Sequence, residues 1–161
     1  MTHLTLPELN GKAVLITGAS TGIGAALAKA FGAQGAMVGV HYNSSEAAAR
    51  SVAKAVEAAG GKAHLVKAEA ARSSEMARAV EETAAAFGRL DGLINNAGGM
   101  VARLPYAEMT DEHYDAVMDL NGRSVLAAIR AALPHLKSAG GGFVINTTSI
   151  AARNGASNGA G

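Results

Sequence analysis

The 161 residues are enough for one domain with a real core and too few for two large ones; 49% are hydrophobic, aromatics are scarce and alanine and glycine abundant, which suits close-packed helices on a sheet better than a β-sandwich. A formal net charge of +1 with scattered Lys and Arg excludes a basic stripe for nucleic acid and a polybasic tract for anionic lipid. The absence of cysteine excludes a disulfide framework and a zinc–thiolate cluster. No uninterrupted apolar stretch approaches the ~20 residues of a membrane helix. The start Met1-Thr2-His3-Leu4 lacks a basic segment followed by an apolar run, so the expected class is a soluble, cytoplasmic α/β protein without a membrane partner.

In chain order, Met1 to Lys12 reads as a lead-in, with Asn10-Gly11 as a turn before a first strand over Ala13 to Thr17. A helix follows from Gly22 to about Gly32, and Met37 to His41 has the length and apolar character of a second strand. Asn43 with Glu46 has the spacing of a helix cap, and a helix is expected over Ala47 to Ala59, ending at Gly60-Gly61. Ala63 to Lys67 is the third strand; Ser73 or Ser74 is expected to cap a helix to Phe87, stopped by Gly88. Leu90 to Asn95 is the fourth strand. A long helix is expected after Thr110 towards Leu136, with Asn121-Gly122 inside it as either a bend or a functional side chain, because both are poor helix formers. The fifth strand is Phe143 to Asn146, and Arg153 to Gly161 is read as unstructured. Strands alternating with helices imply right-handed βαβ units, a parallel sheet and one domain over 1–161.

The first strand runs straight into Thr17-Gly18-Ala19-Ser20-Thr21-Gly22-Ile23-Gly24 and then a helix. Glycines let the main chain turn tightly and approach a bulky anion, while the N–H groups and dipole at a helix start favour its charge, so this is what a pyrophosphate needs. The spacing is G-x-x-x-G-x-G rather than the usual dinucleotide fingerprint, and by itself such a turn could carry glycines for packing alone. His3, His41, His64, His113 and His135 show no ligand spacing and read as solvated or packed, so no metal site is expected. Glu108, Asp111, Glu112 and Asp115 cluster where acids suit the dipole at the start of the long helix.

Three segments together are similar to one family. The glycine turn resembles the TGxxxGIG turn of the short-chain dehydrogenase/reductases, Asn95-Asn96-Ala97-Gly98 resembles their NNAG motif, and Ile145-Asn146-Thr147-Thr148-Ser149 resembles the strand end that carries their catalytic serine. The 3-oxoacyl-(acyl-carrier-protein) reductase-like branch is the nearest in pattern. The resemblance implies a Rossmann-like doubly wound parallel sheet of about five strands, in the order 3-2-1-4-5 and incomplete on its C-terminal side. It also implies hydride transfer between a nicotinamide cofactor and a small-molecule carbonyl or secondary alcohol, and a homo-oligomer through the long helix around 111–136.

The resemblance assigns residues. Gly18, Ser20, Thr21, Gly22, Ile23 and Gly24 would surround the pyrophosphate and ribose; Asn96, Ala97 and Gly98 would contact the adenine-side ribose and the nicotinamide half, or else form an ordinary strand-ending turn. Glu69-Ala70 stands where the family has Asp-Val near the adenine. NAD-binding members place an acid at the end of the second strand; here Tyr42 stands there, followed by Asn43 and Ser44, and the missing carboxylate favours NADP. Of the catalytic Asn, Ser, Tyr and Lys, Asn121 matches the first, anchoring a water in a proton relay, and Ser149 the second, hydrogen-bonding the substrate oxygen. The alternatives are a helix bend and a satisfied strand-end hydroxyl. The YxxxK pair would begin about thirteen positions beyond Ser149, past Gly161, and none of Tyr42, Tyr106 or Tyr114 has Lys four positions on. The chain as written is therefore expected to be inactive or nearly so, with a non-catalytic dinucleotide-binding module or an associating fragment as rival readings.

Overall fold

The computed structural model describes residues 5–150. The expected unstructured stretch from Arg153 to Gly161 lies outside them, as does His3. Five strands, β1 (Ala13–Ile16), β2 (Met37–Tyr42), β3 (Lys62–Lys67), β4 (Gly92–Asn95) and β5 (Phe143–Asn146), form a parallel sheet in the order β3-β2-β1-β4-β5. This is the Rossmann-like α/β arrangement and strand order expected. The helices are α1 (Gly22–Gly32), α2 (Glu46–Ala58), α3 (Ser73–Phe87), α4 (Asp111–Met118) and α5 (Ser124–Ser138).

Alternation along the central strands divides the core into two layers. Val14 and Ile16 of β1, with Val38, Val40 and Ile94, pack against Ala25 and Ala28 of α1 and Val52 and Val56 of α2. Leu15 and Leu93 point to the other face, against Met76 and Val80 of α3 and Ala128, Ala132 and Leu136 of α5. β1 is buried along its whole length because both faces are covered, which is why Ala13-Val14-Leu15-Ile16 is continuously apolar. Burying one such Leu or Ile is worth about 1.5–3 kcal/mol. Small side chains at 128 and 132 let α5 lie close to α3 and the sheet.

Several local expectations are corrected. Asn43 is not the cap of α2: Ser45 flanks the helix, no side chain caps it, and the Glu46 carboxylate turns forward to Arg50 at 2.6 Å. Ser73 and Ser74 already lie inside α3, so neither caps it; Arg72 is the flanking residue, and the Glu75 carboxylate instead accepts the Glu69 N–H at 2.7 Å. β4 starts at Gly92, not Leu90. Asp91 precedes it as a clasp: its carboxylate accepts from Arg89 Nε (2.7 Å) and Nη2 (2.5 Å), from the Ala13 N–H (3.0 Å) and from Lys12 Nζ (3.1 Å). Burial opposes the charge on Asp91, but these donors outweigh it and hold the pKa below the ordinary carboxylate value. The long helix begins as expected, with the Thr110 side chain accepting from the His113 N–H at 3.2 Å, and is then interrupted by one turn of π-helix over Asp119–Arg123. Among the described residues no helix is long and apolar enough to cross a membrane.

Candidate functional site

The carboxyl ends of the strands open into a cleft of about 620 Å³, bordered by the turn after β1, the end of β2, the loop after β3, the loop after β4 and the start of the π turn. In open parallel sheets this is where ligands bind, at the point where the strand order reverses on either side of β1.

The turn after β1 is set by three neighbours. Thr17 Oγ1 accepts from the N–H groups of Asn96 and Ala97, both at 2.9 Å, tying the turn to the loop after β4. The Asn96 amide donates to the carbonyls of Thr17 (3.0 Å) and Gly18 (3.2 Å). His41 Nδ1 accepts the Gly18 N–H at 2.9 Å. Gly18 has φ +63, and a Cβ there would sit 2.9 Å from Ala97 Cα, so the position requires glycine twice over. α1 then begins at Gly22 with no side-chain cap and no acid in its first turn. Its first N–H groups have no partner within the helix, the arrangement a pyrophosphate fits.

Of the residues singled out in the sequence, Gly18, Ser20, Thr21, Tyr42, Asn43 and Ser44 line the cleft, as do Glu69, Ala70, Asn96, Ala97 and Gly98. Gly22, Ile23 and Gly24 belong to the same turn without lining it. Gly24 is buried beneath the Gly18 carbonyl, so its missing side chain serves close packing, while Ile23 is 64% exposed at the helix start. Asn121 and Ser149 also lie outside the cleft lining. Asn121 sits in the π turn, and its amide clamps the backbone of Gly99: Oδ1 accepts the Gly99 N–H (3.0 Å), and Nδ2 donates to the carbonyls of Gly99 (2.7 Å) and Val117 (2.8 Å). The irregularity expected at Asn121-Gly122 is thus a π turn, with the Asn121 side chain engaged by backbone. Ser149 is exposed, three residues past β5.

Sequence reasoning missed Thr17 and His41 as builders of the turn. Thr17 was legible as the first residue of the motif, but its hydroxyl has a role only because β4 lies beside β1. His41 was read as solvated or packed, and it is packed. Burial lowers its pKa, the bond to the Ala68 carbonyl works the other way, and the Arg78 charge adds to the lowering, so the ring is held neutral. Among the described residues, the charged ones lining the cleft are Glu69 and Asp119, with no Lys or Arg.

Comparison with known proteins places the chain in a family. A family model described as short chain dehydrogenase matches residues 12–161. An uncharacterized oxidoreductase of Methylorubrum extorquens is 44% identical over 145 residues, covering 90% of this chain and 57% of that protein. The chain spans a little over half the length of the curated relatives it matches. Among solved structures, the NADH-dependent reductase A1-R' complexed with NAD superposes with a TM-score of 0.90 at 40% identity, over 96% of this chain and 66% of that one. A short chain dehydrogenase from Burkholderia cenocepacia in complex with NADP superposes with a TM-score of 0.86 at 36% identity, over 94% of this chain and 60% of that one. The sheet order, the glycine turn and this match over residues 12–161 have one conclusion: the chain belongs to the short chain dehydrogenase family.

Proposed function

We propose that the protein is a nicotinamide-dependent oxidoreductase acting between a small-molecule carbonyl and the corresponding secondary alcohol. The observation that carries this reading is the glycine turn, whose Gly18, Ser20 and Thr21 line a cleft at the carboxyl ends of β1, β2 and β4 just ahead of the uncapped start of α1. A bound nicotinamide dinucleotide would supply the hydride chemistry. Gly18, Ser20 and Thr21 hold the pyrophosphate side; Tyr42, Asn43 and Ser44 take the adenosine ribose; Glu69 and Ala70 border the adenine; Asn96, Ala97 and Gly98 continue the floor towards the nicotinamide. Ser149 orients the substrate oxygen by hydrogen bonding. Asn121 fixes Gly99 and, with it, the strand-end loop on which a proton relay is organised.

The preferred cofactor in this reading is NADP, because Tyr42 stands where a carboxylate would repel its extra phosphate. Against it, Glu69 and Asp119 line the cleft and, among the described residues, no Lys or Arg does, which favours NAD. Titration of the purified protein with NADPH and NADH separates the two; tighter binding of NADH reverses the preference, and binding of neither overturns the site. A second reading is a dinucleotide-binding module without turnover. Binding with no oxidation of NADPH against a panel of ketones supports that module; turnover supports the enzyme. We place the protein in the cytoplasm and infer self-association through α4 and α5, whose Tyr114, Met118, Leu126 and Leu133 are 44–55% exposed. Sedimentation tests the association, and a monomer would refute it.

A further inference from the structure

β2 lies between β1 and β3, so its last residues face the glycine turn on one side and the loop after β3 on the other. The backbone there makes one bond to each neighbour: the Ala19 N–H donates to the His41 carbonyl at 2.8 Å, and the Ala68 N–H to the Tyr42 carbonyl at 3.0 Å. The His41 ring repeats the link. Nδ1 accepts the Gly18 N–H at 2.9 Å, Nε2 donates to the Ala68 carbonyl at 3.1 Å, and the residue is 2% exposed.

A backbone N–H can only donate and a carbonyl can only accept, so Nδ1 must carry the lone pair and Nε2 the proton. Only the neutral Nε2–H ring satisfies both. A protonated ring would set Nδ1–H against Gly18 N–H, donor against donor, and release the turn while keeping the loop. We propose that His41 is a positioning residue whose neutral ring sets the glycine turn against the 68–70 loop and thereby sets the affinity for the dinucleotide, without touching the reacting atoms. This rests on the reading of the cleft as a dinucleotide site.

The charged groups around the ring agree with a neutral state. Arg78 of α3, which donates to the Lys67 carbonyl at 2.5 Å, disfavours a second positive charge beside it. Glu69 on the 68–70 loop is engaged by Arg72 at 3.0 Å, and Glu75 of α3 accepts the Glu69 N–H. Lys67 ends β3, Tyr42 follows on β2, and the glycine turn has no titratable side chain.

The test compares wild type with His41→Asn and His41→Leu. Asn offers an oxygen for the Gly18 N–H, does not reach Ala68 and does not titrate; Leu fills the space and offers neither bond. The first readout needs no cofactor: amide hydrogen exchange at 17–21 and 68–70, corrected for intrinsic rates, at pH 7.5 and 5.5. We expect Leu to lose about tenfold protection in both segments at both pH values, Asn to keep the turn protected at both, and wild type to keep it at pH 7.5 and lose it on acidification only as far as the ring protonates. The second is the dissociation constant for NADH, chosen because it lacks a phosphate titrating near pH 6. It should rise about tenfold for Leu at either pH and stay flat for Asn, with wild type weakening on acidification only as far as the ring protonates. Equal exchange in all three proteins at both pH values, or equal NADH affinity in wild type and Leu, overturns the role. Exchange as expected with no nucleotide bound by wild type sinks the dinucleotide reading and its affinity consequence while leaving the coupling of the two segments intact. Should Leu fail to show a cooperative thermal transition, wild type and Asn at pH 7.5 decide alone: Asn keeps the Gly18 bond and lacks the Ala68 one, so equal exchange at 68–70 in the two overturns the role.

Discussion

Gly24→Ala tests whether the glycine turn is shaped by packing from below. An alanine Cβ at this position would press on the Gly18 carbonyl oxygen and lie 2.6 Å from Asn96 Nδ2. Both are roughly 1 Å inside the distance at which nonbonded heavy atoms pack, and the first is backbone, which cannot rotate away. Relief requires the turn to lift or α1 to recede. The Asn96 amide bonds to Thr17 and Gly18, at 3.0 and 3.2 Å, are the first to be lost. Overpacking of this kind costs about 1–3 kcal/mol, and two weakened hydrogen bonds fall within that range rather than adding to it. Because the displaced atoms form the cleft wall, a shift of this size should also lower dinucleotide affinity by at least about tenfold, a consequence that a purely global loss of stability would not produce at temperatures where the variant remains folded. Urea unfolding followed by circular dichroism measures the first quantity and calorimetric titration with NADPH and NADH the second. Wild-type values in both would show that the turn has slack the packing denies.

Asp91→Asn should destabilise the fold by about 1–3 kcal/mol, since the amide cannot accept from Arg89, Lys12 and the Ala13 N–H together, although the two half-exposed cations regain water. The same carboxylate predicts a pH effect: its folded pKa is lowered, so its contribution is complete above the ordinary value of 3.8 and is lost as pH falls from there through the folded value. Thermal melts of the Asn variant should be flatter than wild type across that window. Asn121→Ala frees both polar groups of Gly99, which water re-solvates at this exposed place, so stability should fall by about 1 kcal/mol or less while exchange at 98–100 rises; unchanged exchange there would refute the clamp.

The parts of this molecule legible in the sequence are those fixed by local pattern. β1 announced itself because both of its faces are covered and four apolar residues run together, and the turn that follows did so because Gly18 has no substitute at its φ. The helix starts were misread at Asn43 and at Ser73, where cap-like spacing was present but Glu46 and Glu75 found other partners, Arg50 and the Glu69 N–H. Leu90 and Asp91 were read as the start of the fourth strand; nothing local revealed that Asp91 spends its carboxylate on a residue 78 positions away. His41 was opaque for the same reason, since its role depends on Gly18 and Ala68 lying on either side of β2.

One turn of π-helix takes up one residue more than the α-helical turn it replaces. Residues 119–123 therefore behave as a one-residue insertion absorbed without changing which side of α5 meets the core, where Ser124, Ala128, Ala132 and Leu136 recur every fourth position. Deleting a single residue here would let the chain close into an unbroken α-helix with that face preserved, and the loss would fall on Asn121, no longer swung out to hold Gly99. Length and packing are thus separable at this point: the helix tolerates the shorter form, and the loop after β4 does not.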